Sequence, residues 1–411
     1  MQNNSGNYNI KNLPVFFGLS HIGQVFSLCW SKKIGSCYVF DSNNKLLNLF
    51  KKKKFTHEEP DLNKLELNNI KYINKFEEIK NFKYIFFTHD TPLNIKNGKP
   101  EVNYIYKNLK KILSLNFKKK TYLIISSQIN PELIKNIKKK FTINKNIKLF
   151  YLVDTLKMGE SIDKFLYPRQ IIIGGEKNEK KDIFKFLSKF RTKKFYLSFD
   201  EAIITKMAIN IYLSFSVSFA NIIDDLCRQY VCSYSNIIQP LKNDVRIGQS
   251  AYINPSLGFS GGHLERDLFY LNEISKNKII KQMVKNIMSF NNKAINKIDL
   301  NNLFKKNKII KTLIVGKSYK KNSYSTINST FNKLSKNFKV SYFDDIFFKN
   351  IDMKKQLNEL IKKNDLIIYN YSSEESKKEI LKLSKKYKKK LINISQKKIN
   401  TKTKNNFINL F

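Results

Sequence analysis

Short, continuous apolar runs alternating with lysine-rich amphipathic stretches constrain this chain more than any other feature. Pro14-Val-Phe-Phe-Gly18 reads as a buried strand. It runs directly into Gly18-Leu-Ser-His-Ile-Gly23 and an apolar helix carrying Val25, Phe26, Leu28 and Cys29. Cys37-Tyr-Val-Phe-Asp41 is the next strand, with an acid at its end. Lys83-Tyr-Ile-Phe-Phe-Thr88, Tyr122-Leu-Ile-Ile-Ser-Ser127, Leu149-Phe-Tyr-Leu-Val153 and Gln170-Ile-Ile-Ile173 are further strand candidates between helical stretches. Runs that are apolar throughout suit strands covered on both faces. Their alternation with helices predicts a parallel sheet with helices on either side.

Beyond Ser198 the pattern changes. Asp200 to Cys227 is apolar-rich and holds neither Pro nor Gly, which predicts one long helix. Its apolar residues lie nearly all round, so it is expected to be deeply buried or to form a subunit interface. From Ile309 a second α/β pattern begins, with strands at Lys311-Thr-Leu-Ile-Val315, Val340-Ser-Tyr-Phe343, Asp365-Leu-Ile-Ile-Tyr369 and Leu391-Ile-Asn-Ile394. The expected fold class is therefore α/β in three parts. Residues 1–197 form a Rossmann-like domain, 198–305 a central all-α domain, and 306–411 a smaller Rossmann-like α/β domain.

With 42% hydrophobic residues in 411, there is chain enough for sizeable cores. No uninterrupted apolar run approaches the length of a membrane span, and Met1-Gln-Asn-Asn-Ser5 has no secretory n-region. Cys29, Cys37, Cys227 and Cys232 show no C-x-x-C or metal-ligand spacing and read as reduced thiols. A cytoplasmic protein with no membrane partner and no metal is expected. The formal charge of +43 is nearly all lysine, because arginine occurs only at 169, 191, 228, 246 and 266. Arginine is the preferred residue for bidentate phosphate and base contacts. The lysines are also spread evenly among Asn, Ile, Phe and Tyr, as A/T-rich codons would give. Nucleic acid is thus not the expected partner, although the field should attract anionic ligands and make association salt-sensitive.

Gly258-Phe-Ser-Gly-Gly-His-Leu-Glu-Arg-Asp267 resembles the catalytic loop G-F-G-G-S-C-x-P-K-D of the UDP-glucose/GDP-mannose dehydrogenase family, with His263 at the place of the nucleophilic cysteine. Other matches follow in the family's order. Glu59-Pro-Asp-Leu62 is similar to E-P-G-L, and Asp90-Thr-Pro-Leu93 with Asn97-Gly-Lys-Pro100 to P-T-P-L…D-G-K-P. Pro168-Arg-Gln-Ile-Ile-Ile-Gly-Gly175 is similar to P-D-R-I-V-I-G-G, and Glu201 to Asn210 to A-E-x-x-K-x-x-x-N. Asp244-Val-Arg-Ile-Gly248 resembles D-x-R-I-G, and Asn254-Pro255…Gly258-Phe259 resembles N-P-G-x-G-F. The resemblance covers nearly the whole chain. It implies NAD-dependent oxidation of a nucleotide-activated sugar by a homodimer joined through the central helix.

A dinucleotide site is expected at Gly18, Ser20, Ile22 and Gly23. The two glycines permit the turn and the close helix, and the helix N-terminus offers amides to a pyrophosphate. Asp41 is placed for the ribose hydroxyls, which favours NAD over NADP. The resemblance adds Thr91 and Gln128 near the cofactor, although Thr91 also reads as a plain turn residue before Pro92. Lys206 and Asn210 form a helical i, i+4 pair on one face. The resemblance makes Lys206 the oxyanion stabiliser and Asn210 the group that fixes a water or the reacting group. Asp267 becomes a supporting buried carboxylate, and Asp154 stands at the family's glutamate. Arg246, Asn254, Gly258, Phe259, Gly261, Tyr319 and Lys320 become substrate contacts; Arg246 reads equally as half of a surface ion pair. The family's second oxidation passes through a thiol. Neither Cys227 nor Cys232 is on the loop, and an imidazole cannot form a thioester, but it can act as a base near neutrality. Three outcomes follow: one two-electron oxidation, a hydrate-based four-electron enzyme, or a non-catalytic homologue that binds nucleotide or nucleotide-sugar as a scaffold or regulator.

Overall fold

The computed structural model describes residues 12–57, 59–91, 94, 99–140, 142–260, 262–294, 310–316, 338–345, 352–395 and 407–410. It divides into two compact units, residues up to Ile209 and residues from Asn210 onward.

The first unit is built on an eight-stranded sheet. In chain order its strands are β1 (Pro14–Phe17), β2 (Cys37–Phe40), β3 (Ile70–Tyr72), β4 (Tyr84–Phe87), β5 (Thr121–Ile125), β6 (Ile147–Leu152), β7 (Gln170–Gly174) and β8 (Lys193–Leu197). Their spatial order is β3-β2-β1-β4-β5-β6-β7-β8. Every residue of β1, β4 and β5 is buried, as strands covered on both faces require. The helices are α1 (His21–Lys33), α2 (Asn44–Lys51), α3 (Val102–Leu113), α4 (Pro131–Lys140), α5 (Ser161–Leu166) and α6 (Lys180–Phe186). Phe16 stacks on Phe86 at 4.8 Å, and Trp30 of α1 meets Phe16 edge-on at 6.0 Å.

The sheet departs from the all-parallel expectation at one pairing: β7 runs antiparallel to β6, with Tyr151 opposite Gly174. The chain passes from β6 to β7 through the short helix α5, and β8 then runs parallel to β7. β1 lies between β2 and β4, and the connections leave it to either side. The crevice of the sheet therefore opens at the carboxyl ends of β1 and β4.

Helix α7 (Phe199–Gln229) has 31 residues and the length and composition of a membrane span; half of its most apolar window is buried within the chain. Core helices of water-soluble folds have the same character. The second unit continues with α8 (Tyr234–Asn243), α9 (Gly262–Ile274) and α10 (Lys278–Lys293). Val217 of α7, Phe259, Leu268 of α9 and Val284 of α10 form one core, while Tyr234 of α8 packs in another with Ala220, Cys227 and Ile253. A second sheet, parallel throughout, has the order β10-β9-β11-β12-β13. Its strands are β9 (Ile310–Val315), β10 (Phe338–Phe343), β11 (Leu366–Tyr369), β12 (Lys390–Asn393) and β13 (Phe407–Asn409). Leu313 and Val315 face Leu357 of α11 (Met353–Lys363) and Ile380 of α12 (Glu374–Lys386). Ile310 and Ile314 point the other way, toward Leu257, as the alternation of a strand dictates.

Candidate active site

The crevice at the carboxyl ends of β1 and β4 begins with Gly18, whose φ of +106° is open to glycine. Gly23 is demanded by packing, since a Cβ there would lie 1.8 Å from the Gly18 carbonyl oxygen. The Leu19 amide donates to Asp41 Oδ2 at 2.7 Å and the Asn43 amide to Oδ1 at 2.8 Å. Burial pushes the Asp41 carboxyl above its usual range, and the two amides hold it back in part. Ser20 stands at the N-cap of α1, yet its hydroxyl donates to the Thr88 carbonyl at 2.5 Å and caps no helix amide. The next residues but one, Ile22 and Gly23, are buried beneath the turn. Thr91 Oγ1 donates to the Gln128 carbonyl at 2.6 Å, which ties the ends of β4 and β5 together.

Gly18, Ser20, Ile22, Gly23, Asp41, Thr91 and Gln128 thus all gather around this crevice. Its chemistry suits a dinucleotide. Helix amides not taken by a side-chain cap are available to a pyrophosphate. Each Asp41 oxygen has one amide and a further lone pair for a ribose hydroxyl.

Sequence reasoning missed four neighbours of this turn. His21 Nε2 lies 3.0 Å from Glu59 Oε2, and Glu59 Oε1 accepts the Ser161 amide at 2.7 Å. Burial would raise the Glu59 carboxyl, but His21 and the Ser161 and Gly159 amides outweigh it and hold the group below its usual range. His57 is pushed down by burial and by His21, with Asp90 opposing. His89 is 2% exposed and packs edge-on against Phe17 at 4.5 Å. Its Nδ1 faces the Tyr104 hydroxyl at 3.3 Å, while Nε2 finds no hydrogen-bond partner. Burial, and to a lesser extent Lys111, pushes His89 down to about 3. The available signal was the crowding of His21, His57 and His89 into the first quarter of a chain with only four histidines.

Lys206 of α7 is 8% exposed. Its ammonium donates to the Asp154 carbonyl at 2.5 Å and lies 3.8 Å from Asp154 Oδ2. Asp154 and Lys206, singled out separately in the sequence, are thus in contact, a pairing that sequence reasoning did not anticipate. One turn along α7, Asn210 Nδ2 donates to the buried Asp267 Oδ2 at 2.6 Å. The stretch Gly258 to Asp267 is not a loop throughout. Gly258 to Ser260 are irregular, and α9 starts at Gly262. The change has a local cause: His-Leu-Glu-Arg-Asp-Leu contains no breaker, and Leu264, Leu268 and Leu271 recur at helical spacing. His263, half-buried, and Asp267 consequently sit one turn apart on one helix face.

Two buried asparagines, also missed, hold the irregular segment. Asn291 of α10 accepts from the Phe259 amide at 2.7 Å and donates to its carbonyl at 3.1 Å. A Cβ on Gly258, where φ is +90°, would lie 2.4 Å from Asn291 Oδ1. Asn221 accepts the Ser256 amide at 2.8 Å, beside the half-buried Asn254. Neither stood out in a chain so rich in Asn and Lys. Arg246 forks onto Asp244 at 2.9 and 2.6 Å with its side chain 86% exposed, which makes it half of a surface pair. Gly261, Tyr319 and Lys320 lie outside the described residues.

Residues 13–191 match the NAD binding domain of the UDP-glucose/GDP-mannose dehydrogenase family, and residues 200–293 match the central domain of the same family. The UDP-glucose 6-dehydrogenase of Rickettsia bellii is 27% identical over 292 residues, which are 66% of this chain. The match spans 64% of that relative's own length, just under two thirds. Among solved structures, a UDP-glucose dehydrogenase from Pyrobaculum islandicum superposes with a TM-score of 0.78 at 14% identity, covering 99% of this chain and 98% of that one. The UDP-D-ManNAc dehydrogenase of Pyrococcus horikoshii gives 0.77 at 17% identity over 96% and 98%. At such identities the superpositions speak for the fold. The two domain matches stand in family order and together take in about two thirds of the sequence, so the chain belongs to the UDP-glucose/GDP-mannose dehydrogenase family.

Proposed function

We propose that this protein is an NAD-dependent dehydrogenase that oxidises a nucleotide-activated sugar of the UDP- or GDP-sugar class, and that it stops after one two-electron step. Residues 1–197 bind NAD, 198–305 carry the reacting groups, and 306–411 hold the nucleotide sugar. The observation that carries the reading is the pair of family domains in order, with a glycine turn whose amide is held by Asp41.

NAD would be held by the amides at the start of α1, by Asp41 and by the Thr91–Gln128 tie, and when bound it supplies the hydride acceptor. The chain's own side chains do the rest. His263 accepts the proton of the sugar hydroxyl, a role imidazole performs near neutrality. Lys206, held in place by Asp154, offers positive charge to the oxygen as that proton leaves. Asn210, oriented by Asp267, fixes the reacting group or a water. Asn254, Gly258, Phe259 and Gly261, with Tyr319 and Lys320, contact the sugar nucleotide. The missing thiol removes the covalent route to the acid.

The test is NADH formation with a panel of UDP- and GDP-sugars. Turnover with one of them that is abolished by His263→Ala supports the reading. No turnover with any sugar at high enzyme concentration, combined with retained nucleotide binding, would mean a non-catalytic scaffold instead.

We propose a homodimer joined by α7. Tyr212, Phe215, Phe219, Ile222 and Leu226 recur at alternating spacings of three and four, and Tyr212, Phe219, Ile222 and Leu226 are exposed. A seam of that spacing suits a second helix.

A further inference from the structure

A cavity of about 760 Å³ in the first unit lies away from the dinucleotide crevice. Gly18, Thr88 and Gln128 follow the carboxyl ends of β1, β4 and β5. This cavity is lined instead by Ile147, Lys148 and Leu149 at the amino end of β6, with the last turn of α4 and the start of α7. Five lysines are in its lining, Lys138, Lys139, Lys140, Lys145 and Lys148. The one carboxylate in its wall, Glu176, is already engaged by Lys148 at 2.9 Å. Four of the five lining lysines, Lys138, Lys139, Lys140 and Lys145, are thus left without a carboxylate in the wall to pair with, since Lys148 takes Glu176.

Two further features separate this hollow from a solvated lysine run. Its frame is fixed, because Asn144 and Asn146 both donate to the Phe117 carbonyl, at 3.1 and 2.8 Å. It also has an apolar wall that includes the ring of Phe199, over which the Lys138 ammonium lies at 5.9 Å. Cations beside an aromatic face are the combination that takes phosphates and a stacked base together.

We propose that this cavity is a second nucleotide site, taking a nucleoside triphosphate with its phosphates among the lysines and its base against Phe199. The volume suits one nucleotide and is too small for a length of strand, and the number of free cations matches a triphosphate, not a monophosphate. The proposal is independent of the dehydrogenase reading, since none of these residues belongs to the reacting centre or to the NAD crevice.

The experiment is calorimetric titration of the full chain with ATP, in the presence of saturating NAD and over a range of salt concentrations. One saturable site is expected, weakening steeply with salt. Lys138→Ala/Lys139→Ala/Lys140→Ala should weaken it about a hundredfold, on the scale of one close charge pair lost per substitution. Lys382→Ala/Lys385→Ala/Lys386→Ala, which removes the same charge from α12, should leave it unchanged. Phe199→Ala should weaken ATP about tenfold while sparing inorganic tripolyphosphate. Absence of saturable binding, equal loss in both triple variants, or competition by NAD would overturn the site. An RNA oligonucleotide that binds more tightly than ATP with the same lysine dependence would overturn the assignment to a mononucleotide.

Discussion

At the scale of single residues, His89 and Lys206 show how much a local environment decides. His89 is kept neutral by burial, with a pKa of about 3 against an ordinary 6.5. Between those values the unfolded chain binds the proton and the folded one does not. His89 therefore contributes stability that is complete above about pH 6.5 and is lost as the pH falls toward 3. Urea midpoints of wild type and His89→Leu, compared at pH 5 and pH 7, should show a smaller acid loss in the variant. Equal losses would remove His89 from the account. Lys206→Met keeps most of the side chain's bulk and removes its charge. It should lower kcat about a hundredfold or more, the usual consequence of losing an oxyanion-stabilising group, while circular dichroism stays unchanged. A variant with normal kcat would show that the Asp154 pair serves the fold alone. Of this local picture, Lys206, Asn210 and Asp154 were readable because each falls in a motif of fixed spacing. Asn221 and Asn291 were not, because each holds a backbone amide or carbonyl that only the folded chain brings near.

At the scale of elements, the strands buried on both faces were legible from composition alone, as Tyr84–Phe87 and Thr121–Ile125 illustrate. Ile70–Tyr72 and Lys193–Leu197 were not. They are short or half-exposed edge strands, and the lysines that protect such an edge erase its apolar signal. The same limit hid the start of α9, where two glycines suggested a longer loop. Two backbone tests follow. Gly23→Ala would force a methyl group into the Gly18 carbonyl and should destabilise the first unit by about 1–3 kcal/mol, with loss of NAD binding measured in the same sample. Asp61, at the position of the family motif's glycine, has φ of +65°. Asp61→Gly should be neutral or stabilising by a few tenths of a kcal/mol, whereas Asp61→Val should destabilise by about 1–2 kcal/mol. Thermal denaturation distinguishes the two, and a harmless valine would contradict the left-handed turn.

At the scale of the whole molecule, the proposed dimer rests on the exposed apolar stripe of α7, because scattered apolar residues are ordinary on a surface but a heptad-spaced row is not. Sedimentation of wild type should give a dimer, and Phe219→Asp/Ile222→Asp a monomer; a wild-type monomer at micromolar concentration would refute the α7 interface. The family and its order of parts are legible in a chain rich in lysine, asparagine and isoleucine. Gly18 and Gly23 are held by backbone sterics, whatever the surrounding composition. In the proposed reaction a single position, His263 in place of a thiol, sets how far oxidation goes. The most direct measurement is the number of NADH formed per sugar nucleotide consumed at completion, with the product identified by mass spectrometry. One NADH and an aldehyde are predicted; two NADH and an acid, or none with any sugar, would contradict the account.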